Sequence, residues 1–182
     1  MGATSFITTA HGRTAKEAFR AAAEDARHWH GHDGYTGTVA EKVDFVMISD
    51  TAADVKARVD QAIEGLREIQ SQIRQRGRAD MWTWFRVRAV EQSLSLRVGV
   101  RRHILDEGTA ESVLREFAEA IGRLSSVSRR CRATMRPAAL ATLLLDIHDT
   151  RIDDKWGPAG CIDIAQTEGR DTEFLFFGVA SC

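Results

Sequence analysis

The sequence has few cysteines, no long apolar run and no internal repeat, and each absence argues against a class of protein. Cys131, Cys161 and Cys182 form an odd, widely spaced set, which fits reduced thiols in a cytoplasm better than a disulfide framework. The most apolar stretch, residues 138–145, is far shorter than the roughly 20 residues of a membrane-spanning helix. The first residues contain no basic region followed by an apolar one, which predicts no signal peptide. We therefore expect a soluble, cytoplasmic protein.

The net charge of −1 conceals two oppositely charged regions. Residues 56–136 carry one Lys and sixteen Arg against ten acidic residues, a net charge of +7. The rest of the chain carries eight basic and sixteen acidic residues, a net charge of −8. Arginine suits bidentate contacts with phosphate and stacking on aromatic rings. This asymmetry indicates that the middle of the chain has a different partner or a different origin from the flanks.

The first flank has the pattern of a strand, a helix, a loop and a second strand. Residues 4–10 are rich in β-branched side chains and predict a strand. Thr14 and Glu17 have the spacing of a capping box, and the apolar residues after them recur at helical spacing as far as Trp29. A glycine-rich loop follows at residues 30–38, with Gly31, Gly34 and Gly37, and residues 43–49 predict the second strand.

The middle of the chain is predicted to be a helix, a hairpin and a second helix. The apolar residues of 55–73 and 113–131 step by three or four, which predicts two long amphipathic helices. Between them, residues 82–89 and 94–101 alternate in the manner of two strands. The short link between these stretches favours an antiparallel hairpin.

The second flank restores the acidic character. Pro137 suits a first helical turn, so residues 138–147 predict a short apolar helix. Residues 161–165 and 173–180 predict two strands, the second apolar enough to be central in a sheet. The predicted fold is therefore α+β, with a small mixed or antiparallel sheet and helices on one face. Its core domain comprises residues 1–50 and 137–182, and an α-β-β-α insertion at 51–136 interrupts it.

Three segments of the flanks resemble a group of known proteins. Residues 30–42 (HGHDGYTGTVAEK), 154–161 (DKWGPAGC) and 176–182 (FFGVASC) are similar to segments of small uncharacterised bacteriophage and bacterial proteins, which read GHGGYTGT, KWGPAGC and FFGWAS. This chain departs from those patterns at Asp33, where glycine is expected, and at Val179, where tryptophan is expected. The resemblance leaves out the basic middle. It implies a core domain with an insertion and a phage origin, and it implies no activity.

The three alternating histidines His28, His30 and His32 are one candidate site. On a strand they would present their imidazoles on one face, as a zinc site requires. However, histidines near the end of a helix are also favoured by the helix dipole without any metal. Neighbouring glycines deprive the ligands of a fixed geometry. The sequence therefore predicts neither a metal nor another cofactor.

The glycine-rich loop itself has two interpretations. Its backbone could form a cradle for a phosphate, or its glycines could simply end a helix and turn the chain. The glycines follow a helix, which is the reverse of the order in familiar phosphate loops. If the loop packs beside the turn at 155–157, the two segments would line a pocket for an anionic or nucleotide-like ligand. The candidate ligand-binding residues are then His30, His32, Tyr35, Thr36, Thr38, Lys42, Lys155 and Trp156.

Catalytic pairings are weak in comparison. Cys161 with His148 or His30 would make a thiol-imidazole pair, but a cysteine that opens a buried strand is more often part of the core. The neighbouring carboxylates at 153–154 could act as acid and base with Glu41, although such groups in a polar loop are usually solvated. No catalytic residue is predicted.

The predicted hairpin carries the strongest sign of a partner. One of its faces combines aromatic rings with guanidinium groups, as in surfaces that bind single-stranded nucleic acid. The same residue types are enriched at protein interfaces, and they could also be buried under a helix. The candidate partner-binding residues are Trp82, Trp84, Arg86, Arg88, Arg97 and Arg101.

The sequence thus predicts a non-enzymatic binding protein that docks nucleic acid or a nucleoprotein or protein partner through this face. The alternative is a small-ligand pocket, or a minor hydrolase, built from the glycine-rich loop and the turn at 155–157.

Overall fold

The computed structural model describes residues 2–31, 35–165 and 171–182. It divides into two compact units. Met1–Asp50 with Met135–Cys182 form the core unit, and Thr51–Thr134 form the helical unit. The sequence predicted the boundaries of the helical unit after residues 50 and 136, and the structure has them after residues 50 and 134.

Four strands and six α-helices make up the described residues, and they confirm the predicted α+β class. In chain order they are β1 (Ala3–Gly12), α1 (Ala15–His30), a short 3-10 helix (Val39–Glu41), β2 (Phe45–Met47), α2 (Ala52–Arg76), α3 (Met81–Leu94), α4 (Arg102–Glu107), α5 (Ala110–Arg130), α6 (Pro137–Asp146), β3 (Ala159–Ala165) and β4 (Thr172–Ser181). None of the helices in these described ranges is both long and apolar enough to cross a membrane.

The core unit is built on a mixed sheet with the strand order β1-β4-β3-β2. β4 lies between β1 and β3 and is antiparallel to both, whereas β2 is parallel to β3. The apolar sequence of β4 is explained by this central position, since its residues 174–178 are buried on both faces of the sheet.

α1 covers one face of the sheet with small side chains. Thr14 caps the helix by accepting a hydrogen bond from the Glu17 N–H at 3.2 Å, as its sequence predicts. Ala18 and Ala22 let the helix approach the sheet closely, and Phe19 meets Phe176 of β4 edge to face at 5.4 Å.

The opposite face of the sheet is covered as well. Leu175 and Phe177 alternate with Phe174 and Phe176 along β4 and therefore point the other way, yet all four are buried. The apolar helix α6 contacts β4, β1 and β3. Both faces are thus covered, whereas the sequence predicted helices on one face only.

In the helical unit, the two long amphipathic helices form where the spacing predicts them, as α2 and α5, and they pack against each other. α2 begins at a capping box of Thr51 with Asp54 and ends at Gly77, whose φ of 70° suits glycine. The buried apolar stripes consist of Val55, Val59, Ile63, Leu66, Ile69 and Ile73 in α2, and of Val113, Phe117, Leu124 and Val127 in α5.

The predicted hairpin is wrong. Residues 82–89 belong to helix α3, and residues 95–101 are not part of any described strand. Thr83, Val87 and Glu91 are the buried residues of α3. Residues four apart lie on one face of a helix, but they also lie on one face of a strand, so their spacing is consistent with both. The Thr83 hydroxyl accepts the Asp80 N–H at 3.0 Å and donates to the Asp80 carboxylate at 2.9 Å, which fixes the start of the helix.

In the second half of the predicted hairpin, residues 95–101, buried and exposed side chains alternate as predicted, although the segment forms no described strand. Leu96, Val98 and Val100 are buried, and the residues between them are exposed. The Val98 N–H donates to the Glu91 carboxylate at 2.9 Å, so a side chain of α3 satisfies a backbone donor that a neighbouring strand would otherwise satisfy.

Candidate functional site

In the described part of the glycine-rich loop, polar groups of Thr36, Gly37 and Thr38 are bonded within the protein. The Thr36 N–H and hydroxyl both donate to the Glu41 carboxylate at 3.0 Å. The Gly37 N–H donates to the Ser181 carbonyl at 2.8 Å, and the Thr38 hydroxyl lies 2.8 Å from that of Thr36. The Thr36 N–H lowers the pKa of the Glu41 carboxyl, although burial opposes the shift. These groups fold the loop against the end of β4.

Lys42 is buried and joins the loop to the turn at 154–157. Its ammonium donates to the carbonyls of Asp154 at 2.9 Å, Lys155 at 3.2 Å and Gly157 at 3.0 Å. An ammonium has three N–H donors, and these three carbonyls match them. Burial lowers the pKa of Lys42, and the charge of Asp154 opposes this effect. Lys42 therefore positions the turn instead of facing a ligand.

Tyr35 and Trp156 are the side chains that this arrangement leaves in the open. Their rings meet edge to face at 6.4 Å, with 50% and 56% of each residue exposed. The Lys155 ammonium lies 5.3 Å from the centre of the Trp156 ring, within the range of a cation–π contact. The loop packs against the turn, a condition that the sequence left open, and so brings together Tyr35, Lys155 and Trp156, which we call the aromatic pair site.

Tyr35 adopts a backbone conformation that is costly for its residue type. Its φ is 65°, in the left-handed region that bulky residues avoid at a cost of about 1–2 kcal/mol. A strained residue whose side chain is half exposed gains little from packing in return. Strain of this kind concentrates at binding sites, which makes Tyr35 the strongest candidate residue of the core unit.

The histidines are not gathered into a site by the described residues. His30 ends α1 and is exposed, His28 stacks edge to face on Trp29 at 5.5 Å, and His32 lies outside the described residues. Within the described part of the chain, no three His, Cys, Asp or Glu side chains form a group that could hold a metal ion. Cys161 is buried in β3, and burial raises the pKa of its thiol to about 12, so it is a poor nucleophile at neutral pH.

In the helical unit, the exposed face of α3 carries three large apolar side chains. Met81, Trp82 and Phe85 are 71%, 60% and 57% exposed, and we call them the α3 patch. The rings of Trp82 and Phe85 lie 5.7 Å apart, as residues three apart on a helix do. The opposite face of α3, with Thr83, Val87 and Glu91, is buried within the unit. The exposed cluster of large apolar side chains on the other face is a candidate interaction surface.

The arginines predicted to surround this surface mostly have partners within the unit. Arg86 donates to the side-chain oxygen of Gln72. Arg88 pairs with Glu91 at 2.7 Å, and Arg101 makes a forked contact with Glu116, with distances of 3.0 and 2.8 Å. The hydrogen bond from Arg101 also lowers the pKa of the Glu116 carboxyl.

Trp84 differs from the two exposed rings of α3. It is only partly exposed, and the guanidinium groups of Arg88 and Arg102 lie 5.5 and 5.9 Å from its centre. Arg97 is exposed on the extended segment. Of the two tryptophans among the six predicted partner-binding residues, Trp82 is therefore the one whose ring is more exposed to solvent.

Sequence reasoning missed Met81 and Phe85, because the strand interpretation began at Trp82 and placed Phe85 on the face opposite to it. The signal that could have found them is Asp80 followed by Thr83, a capping pair that opens a helix. On a helix that begins there, residues 81, 82 and 85 share one side.

Comparison with known proteins gives no relative: no protein-family model, no curated protein and no solved structure matches this chain. The function is therefore inferred from the geometry alone.

Proposed function

We propose that this is a non-enzymatic binding protein whose helical unit docks single-stranded nucleic acid through the α3 patch. The observation that carries the proposal is the pair of exposed rings of Trp82 and Phe85 on a basic unit. Unpaired bases stack on exposed aromatic side chains irrespective of their sequence, with about 1–3 kcal/mol per base.

Charge supports the same proposal. The helical unit carries sixteen Lys and Arg against eleven Asp and Glu, a net charge of +5, while the core unit has a net charge of −6. Arg74 is exposed near the end of α2, and Arg78 lies in the link immediately before the α3 patch. These two arginines, rather than Arg86, Arg88 and Arg101 with their internal partners, are the proposed phosphate contacts.

A salt series with labelled single-stranded RNA and DNA tests the proposal. Binding measured by fluorescence anisotropy should weaken steeply as salt rises, because phosphate contacts release counterions. Replacing Arg74 and Arg78 by glutamine should reduce the slope by about 1.4, at about 0.7 per lost contact with a single strand. Arg13→Gln, an exposed arginine of the core unit, is the matched control and should leave the slope unchanged.

Absence of binding to either nucleic acid at low salt would overturn this proposal. The α3 patch would then be assigned to a protein partner, since methionine and aromatic residues, here the exposed Met81, Trp82 and Phe85, are enriched at protein interfaces.

A second candidate function is the binding of a small anionic ligand with an aromatic ring at the aromatic pair site. It is favoured by the exposed rings of Tyr35 and Trp156 beside the Lys155 ammonium. A nucleotide would place its base against the rings and its phosphate near the lysine. We propose binding of such a ligand without hydrolysis.

Tyr35 and Gly37 give a matched pair of variants for this second function. Tyr35→Gly should leave the melting temperature unchanged or raise it, because glycine accepts a positive φ at little cost, and it should abolish any increase in melting temperature caused by nucleotides. Gly37→Ala should instead lower the melting temperature, since the added Cβ would lie 2.6 Å from Thr4 Cγ2 at a φ of 69°. A nucleotide shift that persists in Tyr35→Gly would contradict this function, as would no shift in the unaltered protein.

A further inference from the structure

β1 is a long edge strand with no described neighbour on its outer side. It pairs with β4 in a continuous register from Ala3 opposite Ser181 to Gly12 opposite Thr172, and it has no bulge. The other edge of the sheet, β2, is only three residues long. Short edges resist pairing with other chains, whereas long regular edges invite it.

The direction of the backbone groups of β1 follows from the first bonded pair. Gly2 and Cys182 exchange both of their backbone hydrogen bonds, at 3.0 and 3.4 Å. Bonded and non-bonded pairs alternate along an antiparallel ladder, so the even-numbered residues of β1 bond to β4. The backbone N–H and C=O groups that point away from the sheet therefore belong to Ala3, Ser5, Ile7, Thr9 and His11.

β1 lacks the features that usually protect an edge. Its sequence, ATSFITTAHG, has no Lys, Arg, Asp, Glu or proline, and such residues are the ordinary means of preventing added strands. Ile7, at the middle of the strand, is 42% exposed. Nothing in the strand itself opposes the addition of another.

A cleft of about 310 Å³ lies beside this edge. Four consecutive residues of β1, 6–9, line it together with α1 residues that include Ala22 and Trp29. Because side chains of both faces of β1 contribute, the cleft opens at the edge of the strand. Trp29 is 80% exposed at its rim. An added strand would bring side chains to this cleft, as in other cases where a peptide extends a sheet beside a helix.

We propose that the occupant of this edge is β1 of a second copy of the chain, which makes a two-fold dimer with a continuous sheet. The pairing is antiparallel, with Ile7 opposite Ile7 of the second copy, Ser5 opposite Thr9 and Ala3 opposite His11. All outward backbone groups then find partners, and Phe6 comes opposite Thr8 at the cleft.

Charge argues for a second copy at this place. The core unit carries fifteen Asp and Glu against nine Lys and Arg, so two copies repel each other over most surfaces. The uncharged β1 avoids this repulsion, and a surface that pairs with itself about a two-fold axis generates a closed dimer.

Sedimentation equilibrium over a concentration series from micromolar to near-millimolar tests the proposal. The unaltered protein should be dimeric. Ile7→Lys and Ile7→Asp should each raise the dimer dissociation constant at least about tenfold, since like charges directly opposite one another destabilise paired strands. An equimolar mixture of the two variants should restore the dimer, because the opposed charges then attract.

Val43→Lys is the control, with a side chain that is 88% exposed in the same unit but outside β1, and it should remain dimeric. If Ile7→Lys loses its circular dichroism signal, Ser5→Lys combined with Thr9→Lys places like charges directly opposite each other in the same pairing, at two exposed positions of this edge. A monomer at every concentration would refute the dimer. So would a dimer that withstands the charges at these positions, or a mixture that fails to pair.

Discussion

Replacing Trp82 and Phe85 together by alanine should weaken the binding of single-stranded RNA or DNA at least about thirtyfold, because each stacked base contributes about 1–3 kcal/mol. Both rings are more than half exposed, so the melting temperature should stay nearly constant. Fluorescence anisotropy of a labelled oligonucleotide measures the affinity independently of the protein's own tryptophans. A large loss of affinity without a loss of stability would locate the binding surface on α3.

The matched control is Trp29→Ala, which removes an even more exposed ring, 80% exposed, from the core unit. It should bind nucleic acid as the unaltered protein does. Equal losses in the two variants would indicate unspecific contact with exposed tryptophan. Full affinity in the double variant would remove the α3 patch from consideration, even if the protein bound nucleic acid elsewhere.

The arginines around α3 require a different kind of test from the rings. Arg101 contacts the buried Glu116 through two guanidinium nitrogens, so its removal would leave a buried carboxylate without its partner. Loss of nucleic acid binding in an Arg101 variant would therefore not show that this residue contacts phosphate. Variants of Arg74 and Arg78 test the charge with less disturbance of the core.

The elements of the core unit could be predicted because their signals are local. Thr14 and Glu17 have the spacing of a capping box and predict the start of α1. The apolar run at 173–180 predicts a central strand, which is β4. α3 could not be assigned in the same way. Its residues 82–89 fit a period of two as well as a period of four, and Asp80 with Thr83 decides between them only when both are recognised as a cap.

The candidate sites could be predicted only in part. The sequence brought Tyr35 and Trp156 together only on the condition that the loop packs against the turn, and their rings do meet. The role of Lys42 could not be predicted, since its three acceptors lie more than a hundred positions along the chain. The sequence shows which side chains could bind a ligand. Hydrogen bonds between residues far apart in the chain determine which of these side chains are occupied within the folded protein.

The same kind of long-range pairing holds the two flanks together at Arg151. Its guanidinium donates to Asp149 at 2.9 and 2.6 Å and to Asp50 at 3.0 and 2.9 Å. The Asp149 side chain is fully buried, and Asp50 is the last residue of the first flank. The hydrogen bonds to Asp149 raise the pKa of Arg151, although a guanidinium stays protonated in proteins even without such a shift. The network therefore fixes the point at which the chain leaves the core unit.

Arg151→Met should lower the free energy of unfolding by about 3 kcal/mol, since it removes the guanidinium charge that faces the buried Asp149 carboxylate. For a chain of this size that corresponds to a decrease of roughly 6–12 °C in melting temperature. Asp149→Asn combined with Arg151→Met should recover a large part of the loss, because the buried charge is then gone as well. Arg13→Met removes the exposed partner of Glu17 and should leave the melting temperature unchanged. If the double variant melts no higher than Arg151→Met alone, the loss arises from packing of the arginine side chain and not from the buried charge of Asp149.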